Sequence, residues 1–167
     1  MKLFLLRAEG AFPRRFLEGA AAANLLETYT GRPVTIRKTP AGRPFADGFY
    51  LSFSHCENCA ALLAATFPVG VDLERRRPEN AARLAARFFS PEEARRVTQN
   101  PELFLPLWTA KESSFKITGE GTLFSALSRP VPESLTLRTI HWNGFTLTAA
   151  GAEPFPPLEE ILEEYEI

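Results

Sequence analysis

The run CAALLAATF, residues 59–67, does most to limit what this chain can fold into. Alanine and leucine favour helix in isolation. The segment is only nine residues long and lies between turn signals, so it is predicted to be a buried strand. It leads directly into VGVDLE, residues 69–74, where Val69, Val71 and Leu73 alternate with Gly70, Asp72 and Glu74. Side chains two apart on a strand point to the same face, so Asp72 and Glu74 form a two-carboxylate edge. Taken alone, that edge reads as the polar side of a half-exposed strand.

The elements around this pair mix helix and strand. Residues 16–33, FLEGAAAANLLETYTGRP, read as a helix with Leu17, Ala21, Leu25 and Leu26 on one side, ended by Gly31 and Pro33. VTIRKTPAGRPF follows as a strand and a turn punctuated by glycine and proline, and FYLSFS alternates like a further strand. After the turn Arg75-Arg76-Arg77-Pro78, ENAARLAARFF has helical spacing at Ala81, Leu84, Ala85 and Phe88. SPEEARRV opens with a serine cap, proline in the first turn and Glu93 closing a capping box. A third helix begins near NPELF, with Pro106 marking its true start or a kink. GFTLTAA reads as a late strand.

That third helix contains WTAKESSFK, residues 108–116. Trp108, Glu112 and Lys116 share one helix face, and Lys111 points about 100° away. The plain account of Glu112 and Lys116 is a solvated pair one turn apart. Beside Asp72 and Glu74, a second account opens. Three carboxylates converging on a cleft wall, without fixed basic partners, suit Mg²⁺, which takes oxygen ligands and substrate phosphates. Lys116 then lies where it meets a phosphate oxygen.

Composition limits the alternatives. With 167 residues and 45% apolar content the chain suits one domain with a real core, or two small subdomains sharing one. No stretch reaches the roughly 18 apolar residues of a membrane helix, and the start MKLFLLRAEG is too short in its apolar part for a signal peptide, so a cytoplasmic protein without membrane contact is expected. The net charge of −1 hides an asymmetry: setting aside the five glutamates of PLEEILEEYEI leaves 19 Lys and Arg against 15 acids, a balance of +4. That bias is too weak for duplex nucleic acid. It suits a small polyanion or an acidic partner protein.

The two cysteines stand in SHCENCA. Structural zinc takes four ligands, and only His55, Cys56, Cys59 and the distant His141 are at hand, so both thiols are read as small buried hydrophobes.

In order and spacing these segments resemble the 4′-phosphopantetheinyl transferase superfamily. Its signature, V-G-V-D-x-E followed some tens of residues later by W-x-x-K-E-x-x-x-K, stands here as Val69–Glu74 and Trp108–Lys116. AGRPF and LSFSH are similar to the family's G-K-P and S-H segments, and RFFSPEE to its helix-turn between the two signatures; the likeness runs from about residue 20 to 150. It is greatest to the surfactin-synthetase-activating type, in a short, compact form.

The resemblance implies an α+β fold: antiparallel sheets packed against helices, as two small lobes in pseudo-twofold arrangement with the active site between them. Residues 1–167 are then a single domain with sublobes of approximately 1–67 and 68–167. It implies a transferase (a holo-acyl-carrier-protein synthase) that moves the phosphopantetheine arm of coenzyme A to a serine of an acyl or peptidyl carrier protein, releasing 3′,5′-ADP. Fatty acid biosynthesis and secondary metabolism are both open as settings.

In that reading Asp72, Glu74 and Glu112 match the ligands of Mg²⁺. Glu112 takes the serine proton, Lys116 offsets pyrophosphate charge, and Lys111 has a lesser role at the phosphates. Arg43 and His55 match positions that hold the coenzyme's phosphates, with Ser54 adding a hydroxyl. Arg7, Arg14 and Arg15 are loose stand-ins for basic residues that the longer relatives carry near their N-termini. Arg83 and Arg87, beside Phe88 and Phe89, form the candidate edge for an acidic carrier. The alternatives are a noncatalytic member that binds coenzyme A or a carrier, a metal-dependent phosphohydrolase using the same acids, and a basic adaptor.

Overall fold

In the computed structural model, which describes residues 1–12, 19–76 and 80–167, the predicted buried strand lies between two hydrophobic layers. The chain forms β1 (Lys2–Arg7), α1 (Ala20–Thr30), β2 (Arg37–Lys38), β3 (Pro44–Ala46), β4 (Phe49–Cys56), β5 (Cys59–Ala65) and β6 (Val69–Arg75). It continues with α2 (Ala81–Phe88), α3 (Pro91–Gln99), a 3-10 turn (Pro101–Leu103), α4 (Phe104–Thr118) and α5 (Leu123–Leu127). It ends with β7 (Thr136–Trp142), β8 (Phe145–Gly151), α6 (Leu158–Ile161) and β9 (Leu162–Glu166).

The first sheet has six strands in the order β2-β3-β4-β5-β1-β9, and the second three in the order β6-β8-β7. All pairs are antiparallel except β1 with β9. Every residue of β5 is buried, because both of its faces are covered. Cys59, Ala61, Leu63 and Ala65 pack with Val69, Val71, Leu73 and Leu147 of the second sheet. Leu62 and Ala64 pack instead with Phe4 and with Ala22 and Leu26 of α1. A strand buried on both sides needs no polar alternation, which is why the sequence there is apolar throughout.

The α+β class and the antiparallel sheets agree with the expectation. The expected sublobe boundary at 67/68 falls between the two sheets, but β9 carries the C-terminal residues back onto β1. The acidic tail is therefore part of the first sheet, anchored by buried Leu158 and Ile161. Among the described residues no helix is long and apolar enough to cross a membrane.

Local signals hold where they rest on near neighbours. Ser90 and Glu93 form the reciprocal capping box of α3. Pro106 lies in the first turn of α4, where a backbone N–H has no helical partner to lose, so it marks a start and not a kink. Leu17 of the predicted first helix lies outside the described residues, as do Arg14, Arg15, Arg77 and Pro78.

Candidate active site

The site begins with the alternation of β6. Val71 and Leu73 enter the core between the sheets, which turns Gly70, Asp72 and Glu74 toward α4. Gly70 lets the helix approach: a Cβ there would lie 1.9 Å from the Ser113 carbonyl oxygen. A second contact fixes the helix, since the Thr109 and Thr148 hydroxyls are 2.7 Å apart and Thr148 also meets Thr139 at 2.8 Å. With α4 held on β6 and β8, carboxylate oxygens of Asp72, Glu74 and Glu112 all lie within 4.8 Å of one another.

Two features differ from the expected cleft wall of unpartnered acids. Asp72 is buried, at 2% exposure. It also has a basic partner: the Lys116 ammonium donates to its Oδ1 at 3.0 Å, and to the carbonyls of Val71 at 2.7 Å and Phe53 at 3.3 Å. Asp72 Oδ2 is buried and has no hydrogen-bond partner among the described residues. Burial, then repulsion from Asp72, push the Glu112 carboxyl up to about 7; Glu74 adds to the rise, while Lys116 and the Trp108 indole oppose it. All donors of the cluster are carboxylate oxygens and one is an orphan, so the residues present fit a hard divalent cation.

A second set of contacts joins the sheets beside these acids. β6 is an edge strand of its sheet, and its outward N–H groups need acceptors. Ser52, Ser54 and Cys56, spaced two apart on β4, supply them: Ser52 Oγ accepts from Val71 N at 2.9 Å, Ser54 Oγ from Leu73 N at 3.1 Å, and Cys56 Sγ from Arg75 N at 3.4 Å. The lower two rungs pass a hydrogen bond on to the acids. Ser54 donates to Asp72 Oδ1 at 3.0 Å, and the Cys56 thiol to Glu74 Oε2 at 3.8 Å. Ser54, expected at coenzyme phosphates, is thus committed to Asp72. Cys56 was expected to be a buried hydrophobe and is a half-buried neighbour of Glu74. Cys59 does match that description: it is 1% exposed, and burial pushes its thiol up. The signal for this seam was present in S-x-S-x-C, a period-two run of small acceptors.

Lys111 departs from its expected place at phosphates. It is buried at 2% exposure, pairs with Glu93 at 2.9 Å, donates to the Arg129 carbonyl and lies over the Phe89 ring at 5.4 Å. Its direction on α4 takes it away from Glu112 and into the packing of α2, α3 and α4. Burial alone would raise the Glu93 carboxyl, but hydrogen bonds from Lys111 and Ser90 outweigh it and hold the group below its ordinary value.

Lys116 also borders an open groove of about 1090 Å³ between β2–β4 and the end of α4. Arg37, Lys38 and Arg43 line it, and among its described lining residues there is no carboxylate. Arg43 donates to the Ile117 carbonyl at 2.6 Å and lies over Gly119, whose left-handed φ of 59° ends α4. His55 is exposed near the end of β4, does not line the groove, and alternates to the face opposite Ser54 and Cys56. Arg7 is exposed at the end of β1.

On α2, Arg83 and Arg87 are exposed, with Arg87 5.2 Å over the Phe88 ring. Phe89, placed at this edge by the sequence reading, is instead buried against Phe104 and Trp108. Phe124, which the reading missed, is 66% exposed and stacks on Phe88, which in turn meets Trp108 edge-on. No periodic pattern marked it, since α5 has only five residues.

A family model described as the 4′-phosphopantetheinyl transferase superfamily matches residues 68–163, which hold the three acids and Lys116. The 4′-phosphopantetheinyl transferase gsp of Aneurinibacillus migulanus is 33% identical over 94 residues, covering 53% of this chain and 39% of that protein. The 4′-phosphopantetheinyl transferase psf-1 of Bacillus pumilus is 31% identical over 103 residues, covering 59% of this chain and 40% of that protein. HetI of a Nostoc strain, also a 4′-phosphopantetheinyl transferase by name, is 36% identical over 88 residues, covering 48% and 37%. The match therefore spans about two fifths of the length of these curated relatives.

Proposed function

The chain belongs to the 4′-phosphopantetheinyl transferase superfamily, and from that premise we propose that it transfers the phosphopantetheine arm of coenzyme A to a serine of an acyl or peptidyl carrier protein. The observation that carries this reading is the meeting of Asp72, Glu74 and Glu112 within 4.8 Å, next to a groove lined by Lys116, Arg43, Arg37 and Lys38. A pyrophosphate ester and a metal-binding acid cluster need that adjacency: cations for the phosphates on one side, oxygen ligands on the other.

Asp72, Glu74 and Glu112 would hold Mg²⁺, which when bound supplies charge neutralisation at the pyrophosphate. Glu112 accepts the proton of the carrier serine, directly or through a water. The serine oxygen forms its bond to the phosphorus next to the pantetheine arm. The bridging P–O bond breaks, and 3′,5′-ADP leaves. Lys116, fixed by the carbonyls of Val71 and Phe53, keeps a positive charge at the border of acids and groove. Ser54 orients Asp72, and Arg43, at the groove, meets a phosphate of the coenzyme in this reading.

The test is incubation with coenzyme A, Mg²⁺ and a panel of apo carrier proteins, read by intact mass spectrometry. The expected result is the mass gain of the arm on at least one carrier, abolished by excess chelator. Transfer at full rate in chelator removes the metal from the mechanism. Coenzyme cleavage without a carrier makes the chain a phosphohydrolase, and coenzyme or carrier binding without transfer makes it a binding member.

A further inference from the structure

The two side chains that donate to Asp72 both reach the same oxygen. The Ser54 hydroxyl and the Lys116 ammonium each lie 3.0 Å from Oδ1, while Oδ2 is buried with no hydrogen-bond partner among the described residues. We infer that Ser54 and Lys116 are positioning residues: together they turn the Asp72 carboxylate so that Oδ2 is its metal-binding oxygen, and Lys116 acts through Asp72 without donating a hydrogen bond to a coenzyme phosphate. The inference rests on the reading of Asp72, Glu74 and Glu112 as a metal site, and it changes what Lys116 does there.

Neither donor is free to turn elsewhere. Ser54 Oγ accepts from Leu73 N at 3.1 Å, which leaves its single O–H for Asp72. An ammonium has three N–H groups, and Lys116 Nζ has three acceptors inside the protein: the Val71 carbonyl at 2.7 Å, Asp72 Oδ1 at 3.0 Å and the Phe53 carbonyl at 3.3 Å. Its donors are therefore all in use. Two of these acceptors are backbone of β6 and β4, and they cannot withdraw without opening the seam between the sheets. The base of the side chain is held too, because a Cβ on Gly70 would come 3.3 Å from Lys116 Cβ. The charge of Lys116 still reaches the groove that it borders. Arg43, exposed at that groove, is left as the hydrogen-bonding partner of a phosphate.

Lys116 acts on a bound cation in two opposite senses. Its like charge repels the ion, and its hydrogen bond fixes the ligand. Ser54 carries no charge, so its removal tests orientation by itself. Groups that orient a metal ligand from behind typically contribute about 10–100-fold in metal affinity.

The experiment measures two affinities of the full chain separately: Mn²⁺ by electron paramagnetic resonance without coenzyme, and coenzyme A by equilibrium dialysis in excess chelator. The expected result is Mn²⁺ affinity at least about tenfold lower in Ser54→Ala, and lower by a smaller factor in Lys116→Met because relief of repulsion offsets part of the loss. Coenzyme affinity in chelator should stay within about twofold of wild type in Lys116→Met and fall about tenfold or more in Arg43→Ala. A check that needs no variant follows the Nζ signal of Lys116 by nitrogen-15 NMR, assigned through its own side chain; the chain has only Lys2, Lys38, Lys111 and Lys116 to distinguish. That signal should shift with Mg²⁺ and stay in place when coenzyme A is added in chelator. Coenzyme affinity falling in Lys116→Met as far as in Arg43→Ala, or an Nζ signal that moves with coenzyme A in chelator, makes Lys116 a phosphate ligand and overturns the inference. Mn²⁺ affinity that stays at or above the wild-type value in either Ser54→Ala or Lys116→Met overturns it as well. A wild-type chain that binds no Mn²⁺ overturns the underlying metal reading itself.

Discussion

Gly70 of β6 lies against Ser113 of α4 so closely that a Cβ on the glycine would meet the Ser113 carbonyl oxygen at 1.9 Å and its carbon at 2.8 Å. Backbone, not a flexible side chain, fills the space, so the helix itself would have to move. This contact sets the depth at which Glu112 faces Asp72. Gly70→Ala is expected to cost about 1–3 kcal/mol in stability by overpacking, measured by urea denaturation. Its activity should fall much further, on the order of 100-fold, because a shift near 1 Å separates the acids. A Gly70→Ala protein with wild-type turnover would show that the distance between α4 and β6 is not critical.

The metal-free protein should lose stability as pH rises, through Glu112. Below its ordinary value near 4.5 the carboxyl is protonated in both folded and unfolded chains; from there to about 7 only the unfolded chain releases the proton, so the unfolded state gains. Above about 7 the loss is complete, amounting to up to about 3 kcal/mol. Glu112→Gln should therefore gain on the wild type between pH 5 and pH 8 in denaturation experiments with chelator. A constant difference between the two proteins over that range would contradict the raised carboxyl.

Lys111 and Glu93 should behave as a buried pair. Lys111→Met leaves the Glu93 carboxylate, whose side chain is only 15% exposed, without its cation, and the expected cost is about 3–5 kcal/mol. Adding Glu93→Leu should restore most of that loss. Additive losses in the double variant, read by the same denaturation, would mean that the two groups do not depend on each other.

The groove and the exposed histidine can be separated kinetically. Arg43→Ala should raise KM for coenzyme A by about tenfold or more, with the carrier's KM little changed. His55→Ala should do the same if the coenzyme extends past the end of β4. Because Arg43 also caps α4 at Ile117, a loss confined to turnover would assign it to the helix and not to phosphate.

Charge reversal at Arg83 and Arg87 tests the carrier edge. Both residues are exposed on α2, beside the Phe88–Phe124 stack. The double variant to glutamate should raise KM for an acidic carrier and flatten its salt dependence while leaving coenzyme KM unchanged. Unaltered carrier KM and salt response would place docking elsewhere.

The local patterns were legible because their periods are local. Residues 59–67 read as a buried strand from their length between turn signals, although alanine and leucine favour helix, and the structure covers both faces of Cys59–Ala65; Ser90 with Glu93 needed only a spacing of three to form a capping box. Pro106 was undecided, since a proline that starts a helix and one that kinks it differ only in where the preceding turn ends. Phe89 was misplaced and Phe124 missed: Phe89 is covered by Phe104 and Trp108, which come from another helix, and Phe124 stays exposed while stacking on Phe88 of α2.

By itself the sequence determined that Asp72 and Glu74 share a strand face and that Trp108, Glu112 and Lys116 share a helix stripe, since periods of 2 and 3.6 follow from backbone geometry. It could not assign partners. Lys116 and Lys111 are both lysines of one helix, yet one meets Asp72, 44 positions away, and the other is buried with Glu93. Likewise, only the meeting of the sheets gave Cys56 to Glu74 and the tail to β1. Those pairings depend on how the layers pack, and for α4 on β6 the approach is set where Gly70 admits the backbone of Ser113.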